Sequence, residues 1–199
     1  MLIIVRHGRT EANASGLLLG RRLDPDLDEL GRRQATALAA ALPATRVISS
    51  PLRRTRETAE AFGRPVEIDE RWIELDYGEL DGTPLRDVPR DVWAGWQADP
   101  AWAPEGGESL VDLGRRVRDA CTAVAADAAE RDVIVVTHVS PVKAALAWAL
   151  GVGDEISFRA YVAPASITTI ATAGARPSLH SFNGCAHLDG LDLGRTAPR

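Results

Sequence analysis

The chain has 199 residues, 45% of them hydrophobic and 26% charged. These are ordinary proportions for a globular protein, and the length falls short of the roughly 250–300 residues at which cores usually split, so a single domain is expected. A formal charge of −5 disfavours a general attraction to nucleic acid or to an anionic membrane, and the longest apolar run, residues 144–152, is about half of a membrane span.

The alternation of short β-rich runs with longer helical ones predicts an α/β fold, a three-layer α/β/α sandwich around a mostly parallel central sheet. Residues 2–5 read as a first buried strand that runs straight into Arg6-His7-Gly8, too short for the apolar region of a signal peptide. A helix is expected from Asp28 as N-cap through Leu30, Ala37, Leu38 and Ala41, with Pro43 ending it. Residues 46–49 form a second strand. Ser50 then reads as the cap of a helix with Pro51 at its first position and Gly63 at its end.

Residues 67–104 read as irregular, with Trp72, Trp93, Trp96 and Trp102 scattered among Pro, Gly and Asp. Ser109 and Asp112 have capping-box spacing, followed by Leu110, Leu113, Val117, Cys121 and Val124 at helical intervals. Residues 132–137 are the strongest strand in the chain. Ser140-Pro141 predicts another capped helix, closed by Gly151, and a hairpin of residues 166–172 and 178–182 turns through Gly174. The expected division is a domain over residues 1–188 and a C-terminal tail over 189–199. Cys121 and Cys185 lack CxxC spacing, which argues against a disulfide framework and for a reducing, cytoplasmic compartment.

Three strand-to-helix loops share one layout: Arg6-His7-Gly8-Arg9-Thr10, Ser49-Ser50-Pro51 with Arg53, Arg54 and Arg56 behind it, and His138-Val139-Ser140. In an open parallel sheet such loops gather at the C-terminal strand ends, where helix N-termini favour an anion. Two histidines and several arginines around an anion suit phosphoryl transfer. An imidazole nitrogen attacks phosphorus, arginines hold the oxygens, and a carboxylic acid protonates the leaving alkoxide.

Residues 5–13, Val-Arg-His-Gly-Arg-Thr-Glu-Ala-Asn, resemble the RHG-x-T-x-x-N signature of the histidine phosphatase (phosphoglycerate mutase-like) superfamily. Further segments continue the resemblance in order: 30–35, 49–59, 74–82, 106–109 and 136–138, so that it spans the chain to about Leu188. It implies His7 as nucleophile and Arg6 as a phosphate-binding arginine. The S-x-L-x-R pattern selects Arg54, where spacing alone leaves Arg53, Arg54 and Arg56 open. It further implies His138 and Asn13 as phosphate ligands and Glu74, in E-x-x-x-G with Gly78, as proton donor. No cofactor is implied. No metal is expected either, because HxxxH and CxxC spacings are missing.

Two positions depart from the family pattern. Arg9 stands where Glu or Gln is usual, adding positive charge beside the pocket. The second histidine is followed by Val139 rather than Gly, and the run 138–143, with residues 178–183 and 186–188, is similar to the actinobacterial acid phosphatase or α-ribazole-phosphatase-like branch. His180 and His187 read as surface or structural residues. The tryptophans of the 85–104 segment are expected to pack a flap. Arg9, Arg21 and Arg22 could reach a second acidic group on the substrate, with solvated surface charge the favoured reading for Arg21 and Arg22, and the near-total use of Arg over Lys (Lys143 the one exception) reads as genome composition.

The resulting expectation is a cytoplasmic phosphomonoester hydrolase acting through phosphohistidine on a small phosphorylated substrate. It is expected to have no nucleic-acid or membrane partner, and the sequence leaves its oligomeric state open. The rivals are a phosphoglycerate mutase, disfavoured by the short stretch between Glu74 and His138, and a catalytically weak phospho-ligand binding protein.

Overall fold

The computed structural model describes residues 1–191. Six strands form one sheet in the order β3-β2-β4-β1-β5-β6: β1 (Leu2–Arg6), β2 (Arg46–Ser49), β3 (Val66–Ile68), β4 (Val133–Thr137), β5 (Ile167–Ala171) and β6 (Ser178–Gly184). The first four run parallel, while β5 pairs antiparallel with β1 and β6 antiparallel with β5.

The helices are α1 (Glu11–Ala14), α2 (Glu29–Ala41), α3 (Arg53–Glu60), α4 (Arg90–Ala98), α5 (Leu110–Glu130) and α6 (Val139–Leu150). Alternation along the strands sorts the core into two halves. Leu2, Ile4, Val133 and Val135 pack beneath the apolar stripes of α5 and α6. Ile3, Val5, Ile134 and Val136 point the other way, onto Leu38 of α2 and Ala59 of α3. The expected three-layer sandwich is therefore what forms, because each central strand is apolar on both faces.

The register positions the site. Arg6 pairs with Thr137 and Ser49 with Val136, so β1, β4 and β2 end within one residue of each other along the sheet. The next residues of the chain, His7, His138 and Ser50, consequently leave the sheet at one edge. Close approach of α2 to the first of these turns depends on two facing glycines. A Cβ on Gly31 would lie 2.0 Å from the Arg9 carbonyl oxygen, and one on Gly8 would lie 2.5 Å from the Gly31 oxygen.

Several expectations change. The segment 67–104 is not irregular throughout: β3 overlaps its start, α4 lies near its end, and two 3-10 turns, Glu70–Trp72 and Gly78–Leu80, stand between. Strand β3 has two exposed residues of three, and α4 has no side-chain cap and one buried residue, Trp96. Neither gives the periodic signal that sequence reading needs.

Ser50 does not cap α3. The helix begins two residues later behind Leu52, which offers no side chain to the first turn. At α6 the cap position belongs to His138 rather than Ser140. At α5 the Ser109 hydroxyl accepts from the Asp112 N–H but also donates to its carboxylate at 2.7 Å, so half of the expected capping box forms. After β6 the chain makes a 3-10 turn, Ala186–Leu188, that buries Leu188 against the α2 side of the sheet. Of the expected tail over 189–199, residues 189–191 continue in turns, and residues 192–199 lie outside the described residues.

Candidate active site

The turn after β1 buries His7 to 2% exposure. Its Nδ1 lies 2.7 Å from the Gly8 carbonyl oxygen. A carbonyl can only accept, so Nδ1 carries the proton and Nε2 presents its lone pair. Burial lowers the imidazole pKa well below its usual value, and the Arg54 and Arg6 charges lower it further. The ring is thus held neutral with one nitrogen available for attack.

His138, fully buried after β4, meets the His7 ring edge-on with centroids 5.2 Å apart. Its Nε2 sits 2.7 Å from the Ser50 hydroxyl, which is the role Ser50 takes in place of capping. Burial again comes first in lowering this imidazole's pKa, with Arg54, His7 and Arg6 adding to it. Sequence reasoning missed Ser50 as a site residue. The available signal was its place immediately after β2, matching His7 after β1 and His138 after β4.

Arg6 and Arg54 supply the positive charge. The Arg6 guanidinium donates from Nη1 to the Val162 carbonyl at 2.7 Å. Arg54, fully buried, donates from Nη2 to the Gly20 carbonyl at 2.7 Å and from Nη1 to that of Leu23 at 3.2 Å. Burial lowers both pKa values, that of Arg54 to about 10, against the raising influence of Glu74 on each. Both remain cations at neutral pH. The Nε atoms of Arg6 and Arg54 and the Nδ1 of His138 are buried with no hydrogen-bond partner among the described residues. An unpaired buried donor costs about 1–3 kcal/mol, which a bound oxyanion would offset at the two arginine nitrogens.

Among the three neighbouring arginines, burial singles out Arg54. Arg53 is 60% exposed, and Arg56 is exposed as well. Asn13 sits in α1, where its Oδ1 accepts from the Thr10 N–H and hydroxyl at 3.1 Å, so the short helix is held by a reciprocal cap. Its carbonyl end is committed to that cap, leaving the amide N–H₂ as the end able to donate.

Glu74 is buried to 3% exposure. Its Oε1 accepts from its neighbour Leu75 N–H at 2.8 Å and from the Ser140 N–H, in the first turn of α6, at 3.1 Å. Beside it the Tyr77 hydroxyl lies 3.3 Å from the Ser140 hydroxyl, and burial raises the phenol's pKa. No group of three or more His, Cys, Asp or Glu side chains converges to a metal-binding arrangement among the described residues.

The peripheral residues are wired differently from expectation. Arg9 donates to Asp28, the N-cap of α2, at 2.7 Å, so its charge is largely balanced rather than added to the pocket. Arg21 is not solvated surface charge. It is 27% exposed and donates to the Glu74 carbonyl oxygen at 2.6 Å and to the Glu108 carboxylate at 2.6 Å. Arg22, half exposed, pairs with exposed Glu79. Trp96 is the centre of an aromatic cluster, with Trp93 and Trp102 at 5.4 Å and Tyr77 at 5.8 Å. The Trp side chains pack the flap, as expected. His180 is exposed on β6 and His187 is half-buried in the turn after it.

A neutral imidazole nitrogen under the charge of two buried guanidinium groups, with a second imidazole against its ring and a buried carboxyl in the same site, can accept a phosphoryl group and protonate its leaving oxygen. Residues 2–184 match the histidine phosphatase superfamily, branch 1. The chain is similar to a glucosyl-3-phosphoglycerate phosphatase of Mycolicibacterium vanbaalenii, 37% identical over 167 residues that cover 75% of this chain and 74% of the relative. It is also similar to phosphoserine phosphatase 1 of Hydrogenobacter thermophilus, 37% identical over 163 residues covering 76% of each chain. Other curated relatives that it matches, from mycobacteria, are longer, and the chain spans about half of their length. The solved structure of a mycobacterial glucosyl-3-phosphoglycerate phosphatase in complex with VO3 superposes with a TM-score of 0.81 at 32% identity, over 92% of this chain and 98% of that one.

Proposed function

The chain belongs to the histidine phosphatase superfamily, and from that premise we propose that it is a phosphomonoester hydrolase working through a phosphohistidine on His7. The observation that carries the reading is the His7 ring, whose Nδ1 is tied to the Gly8 carbonyl at 2.7 Å so that Nε2 is the free base. In the first step the Nε2 lone pair forms a bond to phosphorus as the bond to the ester oxygen breaks. Arg6, Arg54, His138 and Asn13 hold the phosphoryl oxygens, and the Glu74 carboxyl gives its proton to the leaving oxygen. In the second step water attacks phosphorus, Glu74 takes the proton back, the P–N bond breaks, and inorganic phosphate leaves.

Relatives named for glucosyl-3-phosphoglycerate and phosphoserine support a small phosphorylated metabolite as substrate. Mycobacterial relatives and the residue run 138–143 support the actinobacterial branch. The free thiols Cys121 and Cys185 support a cytoplasmic setting, and the net charge of −5 supports a protein without nucleic-acid partners. No helix among the described residues is long and apolar enough to cross a membrane.

The test is phosphate release from a panel of small phosphomonoesters, with chelator present, comparing the wild type with His7→Ala at acidic and neutral pH. Release by the wild type and a loss on the order of 10⁴-fold in the variant are expected. The lowered His7 pKa keeps the nucleophile unprotonated well below pH 6.5, so wild-type turnover should persist into mildly acidic buffer. Release that survives the loss of His7 overturns the assignment.

A further inference from the structure

The proton donor proposed above is held from behind by an ion cluster that the mechanism does not use. The Glu74 carbonyl oxygen accepts two arginine hydrogen bonds, from Arg21 Nε at 2.6 Å and from Arg116 Nη2 at 3.1 Å. Glu108 bridges the same two arginines. Its Oε2 accepts from Arg21 Nη2 at 2.6 Å and from Arg116 Nη2 at 2.9 Å, and its Oε1 accepts from Arg116 Nε at 2.8 Å. Arg116 also donates to the Arg71 carbonyl at 2.7 Å. The three side chains are only 15–27% exposed and come from three parts of the chain: the loop between α1 and α2, the turn before α5, and α5 itself.

We propose that Arg21, Glu108 and Arg116 form a clamp that positions Glu74 for proton transfer. The inference rests on Glu74 being the general acid. The Glu74 carboxyl is oriented by two backbone N–H groups, those of Leu75 and Ser140, but this fixes it only if its own backbone is fixed. Glu74 follows a 3-10 turn, Glu70–Trp72, and belongs to no helix or strand, so no hydrogen-bond ladder immobilises it. The clamp supplies that constraint from charged groups partly shielded from water, where hydrogen bonds to charged groups contribute more than neutral ones. Misplacing an acid by about 1 Å can cost on the order of 100-fold in rate. Arg21, Glu108 and Arg116 are thus positioning residues, with no contact to the reacting atoms required.

The test separates positioning from general structural support by leaving group. Protonation matters for an alkyl phosphate such as β-glycerophosphate and little for p-nitrophenyl phosphate, whose leaving group departs as a stable anion. The quantity read is the ratio of kcat/KM on the two esters, which does not depend on the folded fraction of a preparation. Glu108→Gln and Arg21→Lys are compared with Glu74→Gln and the wild type. The clamp predicts that Glu108→Gln and Arg21→Lys lose roughly 10-fold to 100-fold on the alkyl ester and less than about 3-fold on p-nitrophenyl phosphate, a weaker copy of the Glu74→Gln pattern. Equal losses on both esters, or no loss on either, while Glu74→Gln keeps its selectivity, would overturn the clamp alone. A Glu74→Gln variant without leaving-group selectivity would overturn the acid assignment and the clamp with it.

Discussion

The floor and the wall of this site are built by opposite means. The floor, made of His7, Ser50 and His138, hangs on the ends of three strands in tight parallel register, each apolar on both faces and flanked by helices. Its side chains are where they are because the sheet ends there. The wall, which carries Glu74 and the Trp96 cluster, comes from a segment with one three-residue edge strand, two 3-10 turns and one short helix. It is held by side-chain contacts, some of them far apart in sequence, such as Arg21 and Arg116 on the Glu74 carbonyl and Asp81 on the Gly20 and Arg22 N–H groups, and some within the segment, where three tryptophans pack on one another. A floor made by the sheet is rigid at the cost of tolerating little change. A wall made of side-chain contacts can vary with substrate while the chemistry beneath stays the same.

That contrast can be broken in four places. The largest effect is expected at Arg54. Arg54→Lys keeps a charge but loses the planar fork that reaches both the Gly20 and Leu23 carbonyls. It should lower kcat by on the order of 10²–10³-fold, measured by phosphate release on a substrate that the wild type turns over. A loss under about 5-fold would mean that Arg54 is a structural buttress. In the wall, Trp96→Ala removes the hub of the aromatic cluster and should cost about 3 kcal/mol of local stability. Hydrogen exchange should report faster amides in residues 90–102 with β1 and β4 unchanged; uniform acceleration would show that the wall and floor unfold as one.

Back in the floor, Gly31→Ala forces a methyl group against the Arg9 carbonyl. It should destabilise by roughly 1–3 kcal/mol, seen as a lower urea midpoint with an unchanged slope. An unshifted midpoint would show that α2 can move away freely. The smallest effect is the pH dependence of stability. The folded-state pKa values of His7 and His138 lie below the unfolded value of about 6.5. As pH falls through 6.5 the unfolded chain takes up protons that the folded chain refuses, so stability present above 6.5 is lost below it. His7→Gln removes one of the two groups and should flatten the decline between pH 7 and 5 by up to about 1.4 kcal/mol per pH unit. An unaltered slope would remove His7 from that account.

The same division governs what the sequence reveals. Strand β2 and the helix start at Asp28 are readable because apolar runs, caps and glycines act locally. Strand β3, with two of three residues exposed, and α4, with a single buried residue and no side-chain cap, exist because other parts of the chain pack on them. Ser50 reads as a cap since Ser before Pro is a helix-start signal, and only the parallel register of β2 and β4 brings its hydroxyl to His138 instead. Likewise, nothing local to Arg21 announces a partner 87 residues away in Glu108. The resemblance selects Arg54 among three arginines, and Arg54 is the one of the three whose side chain is buried.

A phosphohistidine route requires a covalent bond between His7 Nε2 and phosphorus. It is tested most directly by quenching the enzyme during turnover of a ³²P-labelled phosphomonoester and locating the label by peptide mapping. An acid-labile, alkali-stable phosphoramidate on the peptide containing His7, missing from His7→Ala, is expected. Turnover without any label on the protein, or label on a different residue, would contradict it.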